Sequence, residues 1–334
     1  ILSQHDFRCA TCVRGGNCNL QKLARELNII EIPYKIEVEE HPWDASYPLI
    51  RDAAKCVKCM RCVQVCDKIQ TMGVWDIINT GKRTSVSTVD MQDIQAMDCA
   101  LCGQCITHCP TGALRERNDT IKVMDAIMDP EQIVIAQIAP AVRVAWGEGF
   151  GLSAEEATVG KMVSAARQIG FDYVFDTDFT ADLTIMEEGH ELLERLLQKK
   201  EAKMPMFTSC CPGWVRFMKS QFPAYVDHLS TAKSPQQMFG AVAKTYYADI
   251  LGVTPDKITC VSIMPCTAKK YECAVPQVND SGAERDVDVA LTTREFVRML
   301  CAAQVNIETL EEDTFDEPLG LGTGAGVIFG ATGG

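Results

Sequence analysis

Eleven of the seventeen cysteines in this chain fall within its first 109 residues, and their spacing repeats. Cys56, Cys59, Cys62 and Cys66 form C-x2-C-x2-C-x3-C, and Cys99, Cys102, Cys105 and Cys109 form it again. Three thiolates at three-residue spacing wrap one corner of an iron–sulfur cubane, and the fourth, further along, ligates the other cluster. The spacing therefore predicts one 4Fe-4S cluster on Cys56, Cys59, Cys62 and Cys109. A second falls to Cys99, Cys102, Cys105 and Cys66. Zinc sites of the same ligand count usually draw on two separated pairs, and a disulfide framework belongs to small secreted domains without a long α/β core. This chain has such a core, so the cysteines imply a reducing compartment.

The second run ends in Pro110, as bacterial-type ferredoxins do, whereas the first has Asp67 there, which removes no ligand. Ahead of both lies His5-x3-Cys9-x2-Cys12-x5-Cys18. One histidine and three cysteines suit a structural zinc ion or a third cubane with one imidazole ligand. Beside two predicted cubanes the third cubane is the better fit. Three clusters in a short stretch serve to pass single electrons along a line.

The remaining composition excludes several classes. The formal charge of −13 argues against a nucleic-acid partner, and no apolar run approaches the ~20 residues of a membrane span. The chain begins at Ile1 and reads as an internal piece of a longer protein. From Glu131 strand-like and helix-like segments alternate. Ile133 to Ala139, Tyr173 to Phe175, Pro205 to Thr208, Ile258 to Met264 and Val287 to Leu291 read as strands. Glu155 to Ile169, Ala181 to Lys199, a segment opening at Ser234-Pro235, and one from Thr293 read as helices, with Gly170 as a cap. Such alternation predicts parallel sheets flanked by helices. The expected organisation is an iron–sulfur domain over 1–50, a tandem-cubane ferredoxin-like domain over 51–125, both small and α+β, and an incomplete α/β active-site domain over 126–334.

Two motifs in the last region carry a resemblance. Thr208-Ser209-Cys210-Cys211-Pro212-Gly213-Trp214 and Met264-Pro265-Cys266-Thr267-Ala268-Lys269-Lys270-Tyr271-Glu272 resemble the TSCCPxW and MPCxxKxxE signatures of FeFe hydrogenases. The histidine-containing site and the tandem runs precede them in that family's order, so the resemblance covers essentially the whole chain. It implies an H-cluster, a cubane joined through a cysteine sulfur to a di-iron unit with carbon monoxide, cyanide and a bridging dithiolate. Cys211 and Cys266 match the first two cubane ligands. The other two belong to a motif of the form ExMACxxGCxxGGGxP, which this sequence does not contain, and the chain is expected to be cut short before it. Cys210 matches the proton-delivering thiol, and Glu188, Glu191 and Ser230 match the proton path leading to it. Lys269 resembles the lysine that hydrogen-bonds an iron-bound cyanide. Ala139, Pro140, Pro235, Gln236, Met264 and Phe329 resemble residues enclosing the di-iron unit, where ordinary core packing is the competing reading. Cys260, Cys273 and Cys301 fit no ligand motif and read as small apolar residues or incidental thiols.

The resemblance implies reversible reduction of protons to H2. The electron partner is expected to be ferredoxin or an NADH-oxidising subunit. Dedicated maturation proteins would build the H-cluster, in the cytoplasm of an anaerobe or in a hydrogenosome. Narf-like iron–sulfur assembly proteins share only the cubane part of the active-site domain. They form the alternative, together with a sensory hydrogenase and a plain electron carrier.

Overall fold

The computed structural model describes residues 1–197, 203–317, 319 and 322. The chain divides into two compact units, Ile1–Arg117 and Asn118–Gly334.

In the first unit α1 (Asn19–Glu26) is followed by β1 (Leu49–Arg51), α2 (Arg61–Gln64), β2 (Trp75–Ile78), β3 (Ser85–Thr88), α3 (Gln104–His108) and β4 (Leu114–Glu116). β1 pairs antiparallel with β4, with Arg51 opposite Leu114, and β2 pairs antiparallel with β3. The sequence repeat is also a backbone repeat. The second and fourth residues after each leading cysteine have positive φ: Lys58 (56°) and Met60 (62°), then Leu101 (56°) and Gly103 (73°). A left-handed conformation is costly for residues with a Cβ. Here it turns the backbone so that N–H groups face sulfur. Lys58 N donates to Cys56 Sγ at 3.4 Å, and Leu101 N donates to Cys99 Sγ at 3.4 Å.

The second unit opens with α4 (Thr120–Met128), β5 (Ile133–Ile138), α5 (Val159–Ile169), β6 (Tyr173–Asp176) and α6 (Asp178–Leu197). It continues with α7 (Pro212–Gln221), α8 (Pro235–Val242), α9 (Ala248–Leu251), β7 (Ile258–Met264), α10 (Ala268–Glu272), β8 (Val289–Thr292) and α11 (Thr293–Ala302). The sheet order is β6-β5-β7-β8 and all three pairings are parallel. The strands read as mostly apolar runs because both faces are covered, with Gln137 in β5 and Ser262 in β7 as buried polar exceptions. Val134, Ala136 and Ile138 face a core with Met162, Val163, Phe296 and Leu300. Ile135, from the same strand, joins Phe175, Phe239 and Tyr247 on the other side, as the two-residue period of a strand requires.

Several expected boundaries move for local reasons. α5 starts at Val159 rather than Glu155, because Thr158 caps it, accepting from Lys161 N. Ser153 and Glu156 are instead tied in a preceding turn. Gly170 closes that helix at φ 119°, the left-handed cap its position suggested. Pro205 to Thr208 is not a strand. Phe207 makes a single parallel bridge with Leu229, donating to His228 O at 2.8 Å and accepting from Ser230 N at 2.7 Å. Pro205, without an N–H, cannot extend a ladder. Ser234 caps α8, and Thr292 with Glu295 forms a capping box on α11. Among the described residues no helix is long and apolar enough to cross a membrane.

Candidate cluster sites and active-site residues

In the first unit, His5, Cys9, Cys12 and Cys18 line one cavity of about 240 Å3. His5 is 7% exposed, and its Nδ1 is buried without a hydrogen-bond partner. Burial also pulls its pKa below the ordinary value, which keeps the imidazole neutral with a free lone pair. A buried nitrogen left unpaired is costly unless something binds it, so the chemistry of this donor set fits a ligand site. Gly112 is part of the same wall. A Cβ there would stand 2.5 Å from Cys12 Sγ, so glycine is what lets the cysteine approach.

A second cavity is lined by Cys56, Cys59, Cys62 and Cys109, together with Arg51, Trp75 and Pro110. Three thiols of one run thus meet the last thiol of the other. Burial pushes the Cys62 thiol up to about 12, and the thiols of Cys56, Cys109 and Cys59 add to the shift. The reciprocal set is also together. Cys102 and Cys66 raise the Cys99 thiol beyond the effect of burial, and Cys99 and Cys102 do the same to Cys105. Among the described residues, no three His, Cys, Asp or Glu side chains converge tightly enough to hold a single metal ion.

In the second unit the two motif cysteines sit at helix starts. Cys211 caps α7, its sulfur accepting from Trp214 N at 3.4 Å. Cys266 precedes α10 and is held by the backbone N–H groups of Ala268 and Lys269. Burial raises its pKa, and Cys211 is its next-largest influence. Lys269 donates from Nζ to the Cys210 carbonyl at 2.8 Å and to Glu272 Oε2 at 2.8 Å. Gln236 reaches the same carboxylate from Nε2 at 3.2 Å, while its Oε1 accepts from Ser262 at 2.8 Å. Burial raises the Cys210 pKa, with Lys269 opposing it and Glu188 reinforcing it, so the thiol keeps its proton.

The expected proton path is partly connected. Ser230 Oγ donates to Glu191 Oε2 at 2.8 Å, and Thr231 N and Oγ1 donate to that same oxygen. Glu188 Oε2 accepts from Thr208 Oγ1 at 3.1 Å, and its Oε1 is buried with no partner. Burial would raise the Glu191 pKa, but hydrogen bonds from Thr231, Ser230 and Arg195 hold it below the usual range. Arg195 was not singled out by sequence, although it stands four residues after Glu191, the helical spacing of an ion pair. Its Nη2 lies 2.5 Å from Glu191 Oε1. Thr208 and Glu272 lie within the two motifs, where spacing alone gives neither of them a role.

Of the residues expected around the di-iron unit, Ala139 follows β5 and donates from N to Ile263 O at 3.0 Å. Pro140 opens the adjoining short helical turn. The Pro235 carbonyl accepts from Thr180 Oγ1 at 2.8 Å, and Met264 ends β7 at 4% exposure. Phe329 lies outside the described residues. Cys260 and Cys273 are buried and Cys301 is exposed.

Residues 132–334 match the family model described as iron only hydrogenase large subunit, C-terminal domain. The chain belongs to the iron-only hydrogenase family. Residues 55–113 match a 4Fe-4S dicluster domain, and 1–33 match the iron–sulfur binding region of NADH-ubiquinone oxidoreductase G. The chain is 48% identical to the NADP-reducing hydrogenase subunit HndD of Solidesulfovibrio fructosivorans, over 100% of this chain and 58% of that protein. It is 40% identical to iron hydrogenase 1 of Clostridium pasteurianum, over 100% of this chain and 58% of that protein. A solved [FeFe]-hydrogenase chain, HydA1 of Chlamydomonas reinhardtii, superimposes with a TM-score of 0.56 at 41% identity, covering 62% of this chain and 53% of that one. More distant is cytosolic iron-sulfur assembly component 3 of Pongo abelii, 34% identical over 66% of this chain and 48% of that protein. The chain thus spans 58% of the length of the first two curated relatives.

Proposed function

We propose that the protein of which this chain is part catalyses the reversible reduction of protons to H2, with electrons relayed through three 4Fe-4S clusters. The observation that carries the reading is the arrangement around α10. There Lys269 links the carbonyl of Cys210 to Glu272, and Cys211 lies close enough to Cys266 to be the largest influence on its thiol after burial. In this reading 1–50 holds the histidine-containing cluster and the following segment two cubanes, with the active-site region beginning at Asn118, where the second compact unit starts, rather than at 126.

His5, Cys9, Cys12 and Cys18 would hold the first cluster. Cys56, Cys59, Cys62 and Cys109 would hold the second, and Cys66, Cys99, Cys102 and Cys105 the third. Cys211 and Cys266 would supply two ligands of the H-cluster cubane. When bound, the H-cluster supplies the metal centre at which two electrons and two protons combine. The chain's own residues supply the proton and the enclosure. Cys210 holds a proton on sulfur beside Cys211. Glu188 and Ser230–Glu191 are the polar side chains leading outward from it, and Arg195 fixes the Glu191 carboxylate. Lys269 presents an ammonium at the site, held in place by Glu272 and indirectly by Gln236. Ala139, Pro140, Pro235, Met264 and Phe329 would exclude water, which strengthens every electrostatic interaction inside.

Electrons would come from a ferredoxin or a nicotinamide-nucleotide-oxidising partner subunit, and maturation proteins would install the di-iron unit. An anaerobic cytoplasm or a hydrogenosome would suit the reduced thiols. The test is anaerobic H2 evolution from reduced viologen by the longer parent protein, made with its maturation proteins. Activity that collapses in C210S supports the reading. Full cubane iron with no activity would favour an assembly or sensory role instead.

A further inference from the structure

Arg51 is the last residue of β1 and is 5% exposed. It lines the same cavity as Cys56, Cys59, Cys62 and Cys109. The charged neighbours of its guanidinium are, in order, Cys56, Glu39, Cys62 and Asp52. Both carboxylates are shared with other cations. Asp52 pairs with Lys55 at 3.2 Å, and Glu39 pairs with Lys58 at 3.5 Å and His41 at 2.5 Å. The one side-chain hydrogen bond Arg51 makes among the described residues is to a neutral hydroxyl, Nη2 to Ser85 Oγ at 3.4 Å. A buried guanidinium cannot shed its proton, and a buried charge without a counter-charge is strongly destabilising. The cysteines it faces, Cys56 first, therefore share with Glu39 and Asp52 in balancing it.

We propose that Arg51 is the fixed counter-charge of the cluster held by Cys56, Cys59, Cys62 and Cys109, and that it raises that cluster's reduction potential. This rests on the cluster assignment given above. A cubane on four thiolates is anionic, and accepting one electron from the donor makes it one unit more negative. A buried cation beside it favours the reduced form, because net charge and hydrogen bonding around a cluster set its potential. The sister site differs. Its thiols Cys66, Cys99 and Cys105 have other cysteines and Asp67 as charged neighbours. Two clusters with the same ligand spacing would thereby be set apart in potential, with the Arg51 cluster higher. Arg51 is a positioning residue for electrons and touches no substrate.

The experiment is an EPR-monitored redox titration of the anaerobically purified chain, comparing wild type, R51Q and R51K. The signal of the first cluster is assigned by its change in C59A. In R51Q, the ratio of reduced to oxidised first cluster at the wild-type midpoint should fall about tenfold, equivalent to about 59 mV for one electron. R51K, which keeps the charge, should stay within about twofold, and the second cluster should not move in either variant. An R51Q protein that fails to load the first cluster while R51K loads it would also support the counter-charge. A midpoint unchanged in R51Q would overturn the proposal. So would an equal shift of both clusters, or loss of the first cluster in R51K as well as R51Q. Wild-type protein without two cubane signals would instead overturn the cluster assignment, which iron and sulfide analysis reads separately.

Discussion

Replacing Lys270 by methionine tests how α10 is held. Lys270 sits in the second motif beside Lys269, and its side chain is fully buried. Its Nζ donates to Asp119 Oδ2 at 2.9 Å, to Glu295 at 2.9 Å and to the Ala290 carbonyl at 2.7 Å. Methionine fills most of the same volume, so the cavity term is small. What remains is two buried carboxylates facing each other without their cation. Removing one partner of a buried ion pair costs about 3–5 kcal/mol. The lower end applies here. Glu295 keeps donors from Asp119 N, Thr292 N and Thr292 Oγ1, and Asp119 keeps Lys122 at 3.0 Å. We expect K270M to lose about 3 kcal/mol of unfolding free energy, roughly a hundredfold in the folding equilibrium. In urea titrations followed by circular dichroism, the midpoint should fall with an unchanged slope. Adding E295Q should restore part of the loss, because one of the stranded charges is gone. A K270M change below about 1 kcal/mol, or an E295Q/K270M double variant less stable than K270M alone, would refute the reasoning.

Three further outcomes follow from the geometry. E191Q in the parent protein should lower viologen-driven H2 evolution about a hundredfold, the lower end of general acid–base contributions, with iron content unchanged. Gly112→Ala should place a Cβ against Cys12 Sγ and cost the histidine-containing cluster, read as a loss of its EPR signal with both ferredoxin-type signals retained. Burial raises Asp176 to about 6 despite its contact with Arg143. The folded state therefore holds this proton more tightly than the unfolded chain, and its contribution is complete below about pH 4 and lost as pH rises through about 6. The stability of wild type relative to D176N, measured by urea unfolding from pH 4 to 7, should fall with rising pH by about 2 kcal/mol.

Much of the arrangement was legible because it is local in sequence. The two cysteine runs announce themselves by spacing, and the pairing of Cys109 with the first run followed from that spacing alone. β5 and β7 were readable because strands buried on both faces are mostly apolar runs. The helix opening at Ser234-Pro235 was readable because a serine cap and a first-turn proline are chemical signals. What sequence hid is contact between distant segments. Nothing near Asp119 announces that it meets Lys270, and Arg51 reads as an ordinary strand charge until the cavity of Cys56 and Cys109 forms beside it. Phe207 looked like part of a strand because its neighbours are apolar, yet its pairing is confined to one bridge with Leu229.

The central proposal is that the protein of which this chain is part splits and forms H2 heterolytically, with Cys210 handling the proton. The most direct measurement is H2/D2O exchange by the matured parent protein, followed as HD by mass spectrometry with no electron mediator present. The account predicts HD from wild type, HD retained in C59A because exchange needs no electron relay, and HD lost in C210S. No HD from a protein with its full iron content, or exchange undiminished in C210S, would contradict it.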